Sequence, residues 1–189
     1  MEDFRKRALI LLEENIKNRN LIKHNLAAGA LMKALAIHLH EENNADLWEL
    51  AGLVHDLDWE LTQNEPQKHT EPAAEILRKE NFPPEVIEAV YRHNFHANHL
   101  APETLMEKAL YYTEEATGLI VAAALILPSK KLADLTVESV MKRFGEKSFA
   151  RGVDRNLILE MEGKLGLRVE ELMRIALPAL QAIHGDLGL

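Results

Sequence analysis

An all-α fold is predicted by three observations. Apolar residues recur at three- and four-residue spacing through almost the whole chain. No stretch sustains the two-residue alternation of a half-buried strand. The breakers Asn64-Glu65-Pro66, Phe82-Pro83-Pro84, Pro128, Gly145, Gly152 and Gly166 punctuate the periodic segments.

A first helix is read from Phe4, Ala8, Leu11, Leu12 and Ile16, and a second runs from about Leu21 to Leu39 with Ala28, Leu31 and Leu35 on one stripe. Asp46-Leu47-Trp48-Glu49 has the form of a capping box, an acid with another three residues on, so a third helix is expected to start at Asp46 and continue through Leu50, Leu53, Val54 and Leu57. A fourth begins near Thr70, with Pro72 in a first turn where a missing N–H does no harm. Phe82-Pro83-Pro84 ends it and opens a fifth, Glu85 to about Arg92. One long sixth helix is expected over Thr104 to Leu127, stopped by Pro128. Three more fall at Leu135 to Phe144, Asp154 to Leu165 and Arg168 to Ile183. The expected organisation is one domain over residues 1–189, a helical core at 1–127 and a C-terminal helical extension at 128–189.

Composition narrows the function. With 47% hydrophobic and 28% charged residues the chain is globular rather than disordered. Its net charge of −8 argues against a nucleic-acid partner. The longest apolar run, Ala116 to Pro128, is too short to span a bilayer. The N-terminal twenty residues lack a signal-peptide pattern, so a cytoplasmic location and no membrane partner are expected. There is no cysteine, which leaves His, Asp and Glu as the available metal ligands. Basic residues gather between Lys130 and Arg155, as a solvated face or as a patch for a phosphorylated small molecule.

The informative positions are those where polar residues interrupt apolar stripes. His24 shares a face with Ala28, Leu31 and Leu35; His55 and Asp56 end the run Leu53-Val54; Glu114 shares a stripe with Leu110, Gly118, Val121 and Leu125. Burying an unpaired imidazole is unfavourable and burying an unpaired carboxylate more so, while a cation offsets both. A single histidine on an apolar face is more often a satisfied core or surface residue. The set His24, His55, Asp56, His69, His93 and Glu114 carries more weight, because each lies on an inward face or near the end of a helix and a bundle can bring such positions together. His38, His40 and His184 read as surface residues, and His96 and His99 as loop residues and substitutes for His93.

The stretch Ala51-Gly52-Leu53-Val54-His55-Asp56-Leu57-Asp58-Trp59-Glu60 resembles the signature of the HD superfamily of metal-dependent phosphohydrolases, in the HDIG-related subgroup. In that superfamily a first His, a His-Asp pair and a later Asp bind a metal, and two intervening histidines allow a second. The matches are His24, His55, Asp56, then His69 and His93. The family's last Asp aligns, through Thr117-Gly118, with Glu114; Glu115 is the neighbouring alternative and Asp58 a further acid in reserve. The resemblance extends along the chain into Pro128-Ser129-Lys130, Lys142-Arg143-Phe144 and Phe149-Ala150-Arg151-Gly152-Val153. It implies an HD-type helical bundle holding one or two divalent transition-metal ions (Fe, Mn, Ni, Co or Zn), with Asp56 bridging and orienting a nucleophilic water. It further implies hydrolysis of a phosphate ester, a nucleotide or another small phosphorylated molecule, with Lys130, Arg143 or Arg151 holding the phosphate. A catalytically degenerate binding module and a diiron oxygenase are the alternatives within the same superfamily.

Overall fold

The computed structural model describes residues 1–189, and it contains α-helices and short 3-10 turns but no strand. The apolar stripe Ala28, Leu31 and Leu35 becomes the buried face of α2 (Arg19–His38), whose N-terminus is capped by the Asn18 side chain accepting from the Asn20 amide at 2.9 Å. Against it lies α3 (Ala45–Val54). Two glycines let the axes approach. A Cβ on Gly52 would sit 2.6 Å from the Ala28 carbonyl oxygen, and one on Gly29 would meet Leu53 Cγ at 2.8 Å. This crossing sets His24, on α2, opposite His55 and Asp56 at the end of α3.

The capping box expected at Asp46 does not form. A 3-10 turn at Glu42–Asn44 leads into the helix, so α3 starts before Asp46 and Asp46 lies in its first turn. There it accepts from Lys33 at 3.0 Å, while Glu49 pairs with Lys33 and with Arg5 of α1 (Glu2–Asn15). The two acids bind α1 and α2 to α3 rather than closing the N-terminus of their own helix.

Past His55, a single turn α4 (Trp59–Thr62) leads through a 3-10 turn to α5 (Glu71–Lys79), α6 (Pro84–His93) and another single turn, α7 (Phe95–Asn98). His96 is thus in a helical turn, not a loop, and its Nε2 is hydrogen-bonded with the Tyr111 hydroxyl at 3.0 Å. The long sixth helix of the sequence reading is two helices, α8 (Leu105–Thr113) and α9 (Glu115–Leu125), parted at Glu114. No proline or glycine marks the break. Thr113 Oγ1 donates to the Ala109 carbonyl at 2.6 Å and Thr117 Oγ1 to the Glu114 carbonyl at 2.7 Å, and hydroxyls bonded back onto the helix are a known cause of bending.

Three longer helices follow, α10 (Val137–Gly145), α11 (Arg155–Leu165) and α12 (Val169–Ala182), then a last turn, α13 (His184–Leu187). α12 and α13 pack on α2, α10 on α9 and α11 on α8. One buried apolar cluster accordingly runs from Leu11 and Leu31 through Leu53, Leu110 and Leu119 to Met173 and Leu180.

Candidate metal centre

Polar side chains from five places in the chain meet on one face of the α2–α3 crossing. His55 is fully buried and Asp56 is 8% exposed. Asp56 Oδ2 lies 3.6 Å from both His24 Nε2 and His55 Nε2, and the two imidazole nitrogens are 3.1 Å apart. Glu114 Oε2 is 3.3 Å from His24 Nε2. The other oxygen, Asp56 Oδ1, lies 3.2 Å from His69 Nε2 and 3.8 Å from His93 Nε2. The carboxylate therefore faces two imidazoles with each oxygen. Donor atoms bound at about 2.0–2.2 Å to one ion stand roughly 3–3.5 Å apart; the separations here run from 3.1 to 3.8 Å, so small side-chain shifts would bring all of them into that range. Two groups, His24-His55-Glu114 and His55-Asp56-His93, have all their donor atoms within 4.8 Å of one another.

The imidazole tautomers can be assigned from their partners. His55 Nδ1 faces the Gly52 carbonyl at 2.8 Å, which only accepts, so Nδ1 carries the proton and Nε2 offers a lone pair. His69 Nδ1 likewise donates to Asp58 Oδ1 at 2.8 Å. Thr117 Oγ1 has given its one proton to the Glu114 carbonyl, so it accepts from His24 Nδ1 at 3.3 Å. In their neutral forms these three imidazoles would consequently each turn an Nε2 lone pair toward Asp56. His69 Nε2 is buried without a hydrogen-bond partner, as is His93 Nδ1. A buried lone pair of this kind, among carboxylates and further imidazoles, fits a divalent cation of the Mn–Zn series better than an apolar filling.

Electrostatics without a metal follow from the same distances. Burial opposes charge on His24, but Glu114 and then Asp56 outweigh it and push its pKa up to about 9. At His69, burial is outweighed by Asp56 and Asp58, again to about 9. Burial holds His55 below the ordinary imidazole value, and burial together with the neighbouring His55 lowers His93 to about 4. Asp56 and Glu114 stay ionised well below the usual carboxylate range despite burial, Asp56 through His55 and His69, Glu114 through His24. Glu115 lies outside the cluster, and burial and then Glu114 raise it to about 7. Of the two acids, Glu114 is the one whose oxygen lies among the His24 and His55 donor atoms.

Several residues absent from the sequence reading, or held there only in reserve, position the cluster. Asp58 is fully buried, and besides His69 it accepts from the amides of Thr70 at 2.8 Å and Ala73 at 3.2 Å. Asn25, also fully buried, accepts from the Asp56 amide at 3.3 Å and donates to the Leu21 carbonyl at 2.9 Å. Thr70 has φ of 79°, a rare conformation for a β-branched residue, which costs about 1–3 kcal/mol. Its amide bond to Asp58 and its hydroxyl bond to the Tyr91 carbonyl at 3.1 Å hold that turn next to His69. Asn94 clamps the same loop through the Pro66 and His69 carbonyls at 2.9 and 3.0 Å.

The basic tract is not part of the cluster. Arg143 pairs with Glu146 and lies over the Phe149 ring. Arg155 donates to the carbonyls of Phe144 at 2.8 Å and Phe149 at 2.6 Å, which fixes the loop between α10 and α11. Arg151 and Lys130 are exposed and make no ion pair. The loop bearing Arg151 rests on the helix after Glu114, since a Cβ on Gly118 would lie 3.6 Å from Val153 Cγ2.

The family model described as HD domain matches residues 21–126. Ribonuclease Y of Sulfurovum sp. (strain NBC37-1) is 35% identical over 78 residues, 41% of this chain but 15% of that protein's length. The chain therefore spans only a small part of that relative. No solved structure matches.

Proposed function

The chain belongs to the HD domain family, and from that premise and the geometry above we propose that it is a metal-dependent hydrolase of a small phosphate ester. The observation that carries this reading is Asp56, whose two oxygens each face two imidazoles, with the Nδ1 protons of His24, His55 and His69 committed elsewhere. His24, His55, Glu114 and Asp56 would hold one divalent ion, and His69, His93 and Asp56 a second. When bound, such ions supply an acidified water as nucleophile and neutralise charge on the phosphoryl oxygens. The protein's part is orientation. Gly52, Asp58 and Thr117 fix three imidazoles, Asn25 fixes the Asp56 backbone, and hydrogen-bonded ligand partners of this kind raise ligand basicity. Arg151, free of ion pairs on the loop that rests against Gly118, would receive a substrate phosphate; a guanidinium offers it a bidentate fork. Arg143 and Arg155 are engaged in structure. With a net charge of −8, the chain favours a small phosphorylated molecule over a polyanion.

The test is metal analysis of the purified protein, then a panel of phosphate mono- and diesters with Mn, Fe, Co, Ni and Zn each supplied. A short RNA belongs in the panel because of the ribonuclease relative. Expected are one to two equivalents of metal and turnover that is lost to a chelator and restored by metal. Replacement of Asp56 by Asn should abolish turnover. Metal binding with no hydrolysis of any ester overturns the reading in favour of a binding module; a mixed-valence iron signal in that case points to oxygenase chemistry.

A further inference from the structure

A cavity of ≈ 310 Å³ lies beside the cluster, between α2, α9 and the segment after α12. His24 forms part of its wall, with Thr117, Val121 and Leu125 from α9 and Leu187 and Leu189 opposite. The same imidazole thus presents Nε2 to Asp56 and a wall to the cavity. Of the cluster residues His24 alone lines this space, with Thr117 on its Nδ1 side, so a group anchored at Asp56 would enter it past the edge of the His24 ring. The lining is mostly apolar. Thr117 Oγ1 has its proton on the Glu114 carbonyl and faces His24 Nδ1, which leaves Asn20 and Lys23 as the polar groups present. The volume is at the lower end of the range for small-molecule pockets, about 300–1,000 Å³.

We propose that this cavity receives the non-phosphate part of the substrate, and that this part is a compact apolar group, an aromatic ring or short branched alkyl chain. A sugar or nucleobase would bury several donors and acceptors against leucine and valine, and each left unpaired costs about 1–3 kcal/mol. An apolar group meets no such penalty. The inference rests on the reading that the cluster anchors a phosphoryl group, and it adds what lies on the other side of the ester bond. Val121, half-buried on α9 four residues beyond Thr117, and Leu125 at 48% exposure set the width and mouth of the pocket.

The experiment uses phosphonates, which resist hydrolysis, so it does not depend on turnover. Binding of methylphosphonate and phenylphosphonate to the full chain is measured by calorimetry, with metal and with chelator. The wild type should bind the phenyl compound about tenfold or more tightly than the methyl compound, equivalent to ~1.4 kcal/mol. Val121→Trp fills the cavity and should bring that ratio to within about twofold. Should Val121→Trp fail to fold, Leu125→Arg, at an exposed position, places a cation at the mouth and should reduce the ratio likewise. A wild-type ratio near one, or one unchanged in the folded variants, overturns the pocket. The two readings separate cleanly: a ring preference that metal does not strengthen leaves the pocket and removes the phosphoryl anchor, whereas metal-dependent binding of both compounds alike does the reverse.

Discussion

Asp58 is fully buried, with one oxygen on His69 Nδ1 and the other on the amides of Thr70 and Ala73. Asp58→Asn preserves the volume but replaces one acceptor by an amide that only donates, opposite groups that also donate. Leaving those donors unpaired should cost about 1–3 kcal/mol of stability. It should also free the His69 tautomer, so metal affinity at the His69–His93 side should drop by roughly 10–100-fold. Thermal melts and metal stoichiometry read the two effects apart. Full retention of both would show that Asp58 does not orient His69. Glu114 poses a different question, because its oxygen lies 3.3 Å from His24 Nε2. Glu114→Gln keeps the shape and removes the charge, and is expected to lower metal content and activity together. Glu114→Asp, the family residue, is expected to keep metal binding. If Glu114→Gln holds full metal and full activity, the carboxylate is not a ligand.

Gly52 decides how closely α2 and α3 approach, and through that the distance from His24 to His55. Alanine is about 1 kcal/mol better than glycine inside an ordinary helix. Here the added methyl would lie 2.6 Å from the Ala28 carbonyl oxygen and 2.7 Å from Gly29 N, both backbone atoms that cannot rotate away. Gly52→Ala should therefore destabilise by about 1–3 kcal/mol and weaken metal binding as the helices part. A stabilised variant with unchanged metal affinity would refute the close-contact account. The elements themselves were largely legible in the sequence, because α2, α3, α5 and α6 bury stripes at helical spacing. His24, His55, Asp56 and Glu114 stood out as polar interruptions of such stripes. What was hidden depends on partners remote in sequence. Asp46 has a capping pattern, yet Lys33 takes it and the helix begins upstream. The break at Glu114 has no proline or glycine to announce it, only the hydroxyls of Thr113 and Thr117. Asn25 and Thr117 look like ordinary helix residues until their partners on other elements are known.

Over the whole molecule, the cluster links folding, protons and metal. Without metal, His24 and His69 have pKa values of about 9 in the folded chain, against about 6.5 in the unfolded one. A raised pKa means that the folded state binds the proton more tightly. These two residues thus contribute stability that is fully present below about pH 6.5 and is lost as pH rises through about 9. His93 runs the other way: its folded pKa of about 4 means that stability falls as pH drops from about 6.5 toward 4. Divalent metal needs the neutral imidazoles, so near pH 7 it must displace protons from His24 and His69. Metal affinity should then rise with pH up to about 9, with up to two protons released per loaded centre. Calorimetry at pH 7 in buffers of different ionisation enthalpy counts those protons. Melting curves from pH 6 to 9.5 test the rest. With chelator the midpoint should fall above pH 7; with metal at a hundredfold excess over Kd it should gain about 2.7 kcal/mol, or ~5–10 °C for a chain of this length. Metal affinity independent of pH between 6.5 and 9, with no proton released, would mean that His24 and His69 are not the groups the metal meets.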